Sequence, residues 1–251
     1  MKICTVCKNN KIVTYAEIDN LLYWKCQVCE AILLDSKHFI TSKSEKKHYL
    51  KHNNNIDDIG YKDFLSRLIN PIRNKIFIDD IGLDYGCGYA PALAHILRQD
   101  GYKDFLLRLI NPIRNKIFID DIGLDYGCGY APALAHILRQ DGYKVELYDP
   151  FFFPNKSVFL RKFNFIICTE VIEHFFNPNQ EFEKIDNMLP KNSFLAIMTT
   201  FIPKDNLFES WYYRRDPTHV VFYNKKTFEI IASQRNWVTE YPEKNVVIFK
   251  K

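Results

Sequence analysis

The sequence predicts an α/β fold: a mostly parallel sheet covered by helices and ended by an antiparallel C-terminal hairpin, preceded by a small N-terminal zinc-ribbon-like module. Three observations carry this. From about residue 101 onward, short apolar strand-like runs alternate with helix-like segments. All 9 glycines fall between residues 60 and 142, so bare backbone is concentrated in one region. Two Cys-x2-Cys pairs open the chain.

With 251 residues, 47% hydrophobic and 25% charged, the chain has the makings of an ordinary globular core, which excludes disorder and collagen-like structure. A formal charge of +4 is too small to argue for nucleic acid by itself. No apolar stretch approaches the ~20 residues of a membrane helix. The opening MKICTVCKNNK has no apolar signal core, so a cytoplasmic protein without a membrane partner is expected.

Residues 1–45 form the first expected module. Cys4 and Cys7, then Cys26 and Cys29, have the spacing at which two tight knuckles turn four thiolates onto one zinc ion. A closed shell of four thiolates leaves no position for chemistry, so this metal is structural. So short a segment buries little core, and folding is expected to depend on the ion.

Residues 46–100 combine a polar linker or surface helix with a first copy of a repeat. Residues 60–100 recur at 101–141 with one difference, Ser66 against Leu107. Each copy reads as a helix stopped near its first proline (Pro71 in copy one), a strand entering Gly-Cys-Gly, and a second helix opened by proline. The loops are Gly86-Cys87-Gly88 and Gly127-Cys128-Gly129. Only copy two runs on into an alternating strand, Lys144 to Asp149, so it has the intact strand-helix-strand unit and is expected to form the site.

Residues 101–251 are the main domain. After Asp149 come a strand at Asn164–Cys168, a helix from about Pro178 to Leu189, a strand Phe194–Thr200 and a helix around Lys225–Arg235. Two strands, Trp237–Tyr241 and Val246–Phe249, form the closing hairpin.

In Asp125-Tyr126-Gly127-Cys128-Gly129 the glycines let backbone approach a ligand at the carboxyl edge of the sheet. Asp149 ends the next strand, where a carboxylate can accept from two ribose hydroxyls. A dinucleotide fingerprint wants Gly or Ala where Pro132 stands, and Asp125 would repel a pyrophosphate; both suit the cationic S-adenosylmethionine instead. LDYGCG, ELYDP and CTEVIEHF together resemble the first, second and fourth motifs of class I S-adenosylmethionine-dependent methyltransferases.

The resemblance runs from about residue 101 to the end. It implies a Rossmann-like sheet of order 3-2-1-4-5-7-6, with Asp125, Tyr126, Gly127, Gly129, Asp149 and Glu170 binding the cofactor. The short stretch between Asp149 and Glu170 leaves the third strand compressed or missing, and with it the usual acidic contact to adenine. Phe151, Phe152 and Phe153 are expected to cap the adenine or fill core.

Glu170, Glu173 and His174 follow the Asn164–Cys168 strand and should face the transferred methyl group. With His219 they resemble the two-glutamate, two-histidine magnesium site of some small-RNA and quinone O-methyltransferases. Without a metal, His174 or His219 is the expected general base, since imidazole titrates near ~6.5. Catalytic roles are therefore expected for His174, Glu173 and His219. The loop Trp211-Tyr212-Tyr213-Arg214-Arg215 would suit a planar or anionic acceptor. Cys87, Cys128 and Cys168 read as small apolar residues.

The expected activity is methyl transfer to oxygen, carbon or nitrogen of a small molecule. The competing readings are a nucleic-acid methyltransferase or binder using the ribbon, for which only Lys8, Lys11 and Lys25 speak, and a pseudoenzyme spoiled by the duplication. An oxidoreductase is disfavoured by Asp125 and Pro132. Oligomeric state is left open.

Overall fold

The computed structural model describes residues 2–50, 81–82, 103–104, 107–130, 132–203 and 207–251. The first glycine loop, with Gly86, Cys87 and Gly88, lies outside the described residues.

The N-terminal part is a sheet of β1 (Ile12–Ile18), β2 (Leu21–Cys26) and β3 (Ile32–Leu34). Asp19 and Asn20 join β1 to β2 with φ of 53° and 62°. Two left-handed residues make the turn whose twist matches a hairpin, and Asp and Asn tolerate it. A fourth strand, β10 (Val221–Phe222), pairs antiparallel with β3, so the far end of the chain completes this sheet. The four cysteines, Tyr23 and Leu33 pack in the same core cluster as Phe222, Phe228 and Ile166.

Helix α1 (Ser42–Leu50) follows. It was expected as a linker or surface helix, yet Glu45 is buried in it. The nonapeptide SKSEKKHYL has no apolar stripe to announce a packed face. The fragment β4 (Ile81–Gly82) pairs in parallel with β5 (Lys103–Asp104), apart from the main sheet.

The main sheet has the order β7-β6-β8-β9-β12-β11, with β6 (Ile122–Tyr126), β7 (Lys144–Tyr148), β8 (Phe165–Thr169), β9 (Phe194–Met198), β11 (Val238–Glu240) and β12 (Val246–Lys250). β7, β6, β8 and β9 are parallel, and β12 runs antiparallel to both neighbours. This is the implied order without its third strand. Between β7 and β8 the chain forms only a turn and a 3-10 helix, Lys156–Leu160. A parallel crossover consumes a dozen or more residues besides the added strand, and residues 150–164 do not suffice.

Alternation along β8 sends Phe165 and Ile167 to one face and Ile166 and Cys168 to the other. On the first face lie α2 (Leu107–Arg114) and α3 (Ala133–Gln140), through Leu109, Ile110, Ile113, Leu134 and Leu138. Helix α2 corrects the expectation of a stop at the first proline, because it runs through Pro112. The lost backbone bond is outweighed by burying Leu109, Ile110 and Ile113 together on the sheet.

On the opposite face, α4 (Pro178–Met188) begins with proline in its first turn and buries Phe182, Ile185 and Met188 at helical spacing. Helix α5 (Lys225–Ser233) starts with a capping box between Asn224 and Thr227, a device worth about 1 kcal/mol. Both helices hold the sheet so that the carboxyl ends of β6, β7 and β8 open at one edge.

Candidate methyl-transfer site

The second glycine loop leaves β6 at that edge. Gly127 and Gly129 have φ of 79° and 65°, which favour glycine. A Cβ on Gly127 would meet Val171 Cγ1 at 2.4 Å, whereas one on Gly129 would meet nothing within 4 Å. The first glycine therefore serves packing, and the second borders open space. The N–H groups of Gly127 and Cys128 donate to the Tyr148 carbonyl at 2.7 and 3.2 Å, tying the loop to the end of β7.

Asp149 is anchored beside this loop. Its Oδ2 accepts from the Gly129 N–H at 3.1 Å, and its Oδ1 accepts from the N–H groups of Phe151 and Phe152 at 2.8 and 3.0 Å. Asp125 is buried under the loop and accepts from the Ala135 N–H at 3.2 Å, in the first turn of α3. Burial pushes its carboxyl up to about 7. Tyr126 adds only backbone to the edge: its ring packs on Tyr148 and Phe175, and its hydroxyl donates to Glu181 on α4 at 2.6 Å. Burial raises the Cys128 and Cys168 thiols, consistent with unreactive packing residues.

The catalytic candidates stand at the end of β8. Glu170 adopts the left-handed region, φ 51°, unusual for a residue with a side chain. Glu173 is fully buried, and its carboxylate accepts from Thr199 Oγ1 at 3.0 Å and from the Tyr213 hydroxyl at 2.5 Å. The same Tyr213 hydroxyl lies 2.8 Å from Glu170 Oε2. One phenolic proton cannot serve two carboxylates at once. Burial, with Glu173 beside it, raises the Glu170 carboxyl well above the usual range. Its Oε1 is shut off from solvent without a hydrogen-bond partner among the described residues.

His174 and His219 face each other with ring centroids 4.8 Å apart. Each fixes Nδ1 on a carbonyl: His174 on Thr218 O at 3.1 Å, His219 on Tyr213 O at 2.7 Å. A carbonyl can only accept, so both Nδ1 atoms carry the proton and both Nε2 atoms offer lone pairs. Burial and the neighbouring His219 push His174 down to about 4, and burial also lowers His219. Both rings are neutral at pH 7. His174 Nε2 stands 4.0 Å from Glu173 Oε1, and His219 Nε2 3.9 Å from Asp216 Oδ2.

Of the four donors of the magnesium expectation, Glu173, His174 and His219 come within 4.8 Å of one another, while Glu170 stays outside that group. Magnesium takes near-octahedral oxygen ligands. The cluster departs from the expected set in lacking the second glutamate, and the Glu173 carboxylate is already held by two hydroxyls.

The residues that sequence reasoning passed over come from α1 and its surroundings. The Tyr49 hydroxyl lies 3.1 Å from His174 Nδ1 and donates to Glu45 Oε1 at 3.3 Å. Glu45 is pushed up to about 7 by burial, with Asp149 and Asp216 adding to the effect. Helix α1 also reaches the turn after β7, where Tyr49 packs on Phe151 and Lys46 lies over Phe152. The one signal available was an acid and a tyrosine four apart in a polar helix, which alone means little. The acceptor-loop expectation needs correction. Trp211, Tyr213 and Arg214 are buried, and Arg214 turns away to Asp19 at 2.7 Å and Tyr23 at 3.3 Å. Only Tyr212 and Arg215 of that run are exposed.

The four N-terminal thiols also converge. Cys4 Sγ lies 3.7 Å from Cys29 Sγ, and Cys7 Sγ 3.5 Å from Cys26 Sγ. Zinc–sulfur bonds of ~2.3 Å in a tetrahedron place sulfurs about 3.8 Å apart, so the donor set fits zinc. The two knuckles share one geometry. Lys8 N–H donates to Cys4 O and Glu30 N–H to Cys26 O, and Lys8 and Glu30 each have φ 61°. Hydrogen bonding from Cys29 lowers the Cys4 thiol to about 5, while burial pushes Cys7 up to about 12.

Among solved structures, the chain is similar to a SAM-dependent methyltransferase from Methanosarcina mazei, at 13% identity over 55% of this chain and 94% of that one, TM-score 0.40. It is also similar to phosphoethanolamine N-methyltransferase 2 of Haemonchus contortus, at 15% identity over 56% of this chain and 38% of that one, TM-score 0.44. Human N-acetylserotonin methyltransferase matches at 11% identity over 64% of this chain and 54% of that one, TM-score 0.45. No curated protein matches the chain. A family profile described as a methyltransferase domain matches residues 98–241. That span exceeds half of the chain and takes in the second glycine loop, Asp149 and the Glu170–His174 segment, and the chain accordingly belongs to the methyltransferase-domain family.

Proposed function

We propose that the protein transfers a methyl group from S-adenosylmethionine to a small-molecule acceptor, with the cofactor in the second glycine loop and His174 as the proton acceptor. The observation that carries this reading is the convergence at one sheet edge of the open space at Gly129, the anchored Asp149 carboxylate and the His174 Nε2 lone pair. When bound, the cofactor supplies an electrophilic methyl on sulfur. Asp149 would accept the ribose hydroxyls, and Glu170 and Asp125 would face its positive charge. Phe151 and Phe152 take the place of the missing adenine acid.

The remaining residues orient and deprotonate. Thr218 O fixes the tautomer of His174, and Tyr213 ties Glu170 to Glu173. The Cys4, Cys7, Cys26 and Cys29 set would hold a structural zinc, whose knuckles brace α5: Thr227 Oγ1 donates to Cys29 O at 2.8 Å and Gln234 Nε2 to Cys7 O at 2.9 Å.

The test is calorimetric titration with S-adenosylhomocysteine, fitting affinity and stoichiometry. One site per chain is expected. Two sites would give copy one a working loop, and no binding by folded, zinc-loaded protein would overturn the reading.

A further inference from the structure

Each thiol knuckle meets the start of a helix in the main domain. In the first knuckle the left-handed residue Lys8 donates from Nζ to the Asn177 side chain at 3.1 Å, and Thr5 O accepts from the Asn179 N–H at 3.0 Å. Asn177 is the N-cap of α4 and makes no side-chain cap of its own, so the knuckle satisfies a donor that a helix start leaves open. In the second knuckle the left-handed residue Glu30 accepts from Asn224 Nδ2 at 3.3 Å, and Cys29 O accepts from Thr227 Oγ1 at 2.8 Å. Asn224 is the N-cap of α5.

These two helix starts close the two segments that carry the acceptor half of the site. Residues 170–176 lead from β8 into Asn177, and residues 213–223 lead into Asn224. The segments are also tied to the N-terminal module along their length. Phe39 stacks on Phe176 at 4.8 Å, Leu34 N–H donates to Val220 O at 2.9 Å, and Val220 N–H donates to Glu173 O at 2.8 Å. The cofactor half is built otherwise. Among the described residues, the hydrogen bonds that fix Gly127, Gly129, Asp125 and Asp149 run to neighbouring strands, to α3 and to the turn after β7, and none reaches residues 2–41.

We propose that Thr5, Lys8, Cys29 and Glu30 are positioning residues: through the starts of α4 and α5, the zinc-held knuckles set the spacing of His174 and His219 and govern the acceptor half of the site, not the cofactor half. The inference rests on the zinc and methyltransferase readings above and adds a division of labour to them. Two tight turns held on one ion do not move independently, so neither do the helix starts they cap. Once the turns are released, His174 and His219, whose ring centroids stand 4.8 Å apart, lose their common frame.

The full chain tests this, zinc-loaded and after chelation, with S-adenosylhomocysteine titrated calorimetrically, amide exchange followed by residue, and the imidazoles observed through their 15N signals. Chelation is expected to change S-adenosylhomocysteine affinity by no more than about threefold, to shift the His174 and His219 signals, and to speed exchange at 172–176 and 218–222 roughly tenfold more than in β6 and β7. Unmoved histidine signals, equal acceleration in both halves, or a larger loss of S-adenosylhomocysteine affinity in a protein that is still folded overturns the inference. If chelation unfolds the chain outright, Lys8→Ala combined with Glu30→Ala decides, since it keeps the four thiols and their zinc. Selective acceleration of the same amides by about threefold is expected there, and uniform or absent acceleration overturns the inference. A zinc-loaded protein that does not bind S-adenosylhomocysteine refutes the methyltransferase reading alone, because amide exchange and the histidine signals still judge the positioning.

Discussion

The Tyr49 hydroxyl sits 3.1 Å from His174 Nδ1 across a sequence separation of 125 residues. Through that contact an N-terminal helix becomes part of the wall of the candidate methyl-transfer site. Tyr49→Phe removes the bond between α1 and His174 without removing the ring that packs on Phe151. A net hydrogen bond is worth about 1 kcal/mol. Amide hydrogen exchange in α1 should accelerate about fivefold, while the Thr218 carbonyl still holds the His174 tautomer. Unchanged exchange would show that α1 docks without Tyr49.

His174 is expected to be a neutral imidazole with its proton on Nδ1, and 15N chemical shifts of its side chain at pH 7 check this directly. A general base contributes about 10²–10⁴ in rate. His174→Gln should lower kcat within that range and leave affinity for S-adenosylhomocysteine unchanged, because the proposed cradle at Gly129 and Asp149 does not include it. The same substitution at His219 should cost less, since His219 Nε2 faces Asp216.

The proton on Glu45 makes a prediction for stability against pH. Its folded pKa is raised to about 7 from an ordinary value of 4.5, so the folded state binds more protons than the unfolded state between those pH values. Stability associated with Glu45 is fully present below the unfolded pKa and is lost as pH rises through about 7. Glu45→Gln should therefore be more stable than the parent at pH 8 by on the order of 1–3 kcal/mol, with the difference shrinking toward pH 4. Thermal melts of both proteins across that range measure it. A difference independent of pH would place its cause elsewhere.

Removing the proposed zinc from the thiol cluster should reach β10 and α5. β10 completes the N-terminal sheet, Val220 O accepts from Leu34 N–H, and Thr227 grips Cys29 O. Cys4→Ser, or chelation of the parent, should release one zinc per chain and cost about 3 kcal/mol, near 10 °C in melting temperature. A protein purified without zinc that melts at the parent temperature would refute the structural role.

Much of the sheet was legible because its strands are apolar runs and its order follows from the methyltransferase resemblance. The absence of the third strand was legible as a shortage of chain between Asp149 and Glu170. The glycine loop and the cysteine knuckles were legible because φ sign and thiolate convergence are local demands. The role of α1 was not, since a polar helix acquires a buried Glu45 only from what it meets. Arg214 misled for the same reason: its partners, Asp19 and Tyr23, lie almost at the other end of the chain. The pairing of β10 with β3 is equally non-local, and two residues carry too little pattern to foretell it.

The two glycines of the second loop should separate stability from binding. An alanine at 127 places its Cβ 2.4 Å from Val171 Cγ1 in a left-handed conformation, so Gly127→Ala should destabilise the fold through both clash and strain. At 129 the Cβ meets nothing within 4 Å and only the strain remains, about 1–2 kcal/mol. Gly129→Ala should thus melt within a few degrees of the parent, yet lose at least tenfold in affinity for S-adenosylhomocysteine, because the space it enters is the space proposed for the cofactor. Gly86 and Gly88 are untouched by this change. Full residual affinity in a folded Gly129→Ala protein would therefore move the site to the first copy of the repeat, and its loss assigns the site to the second.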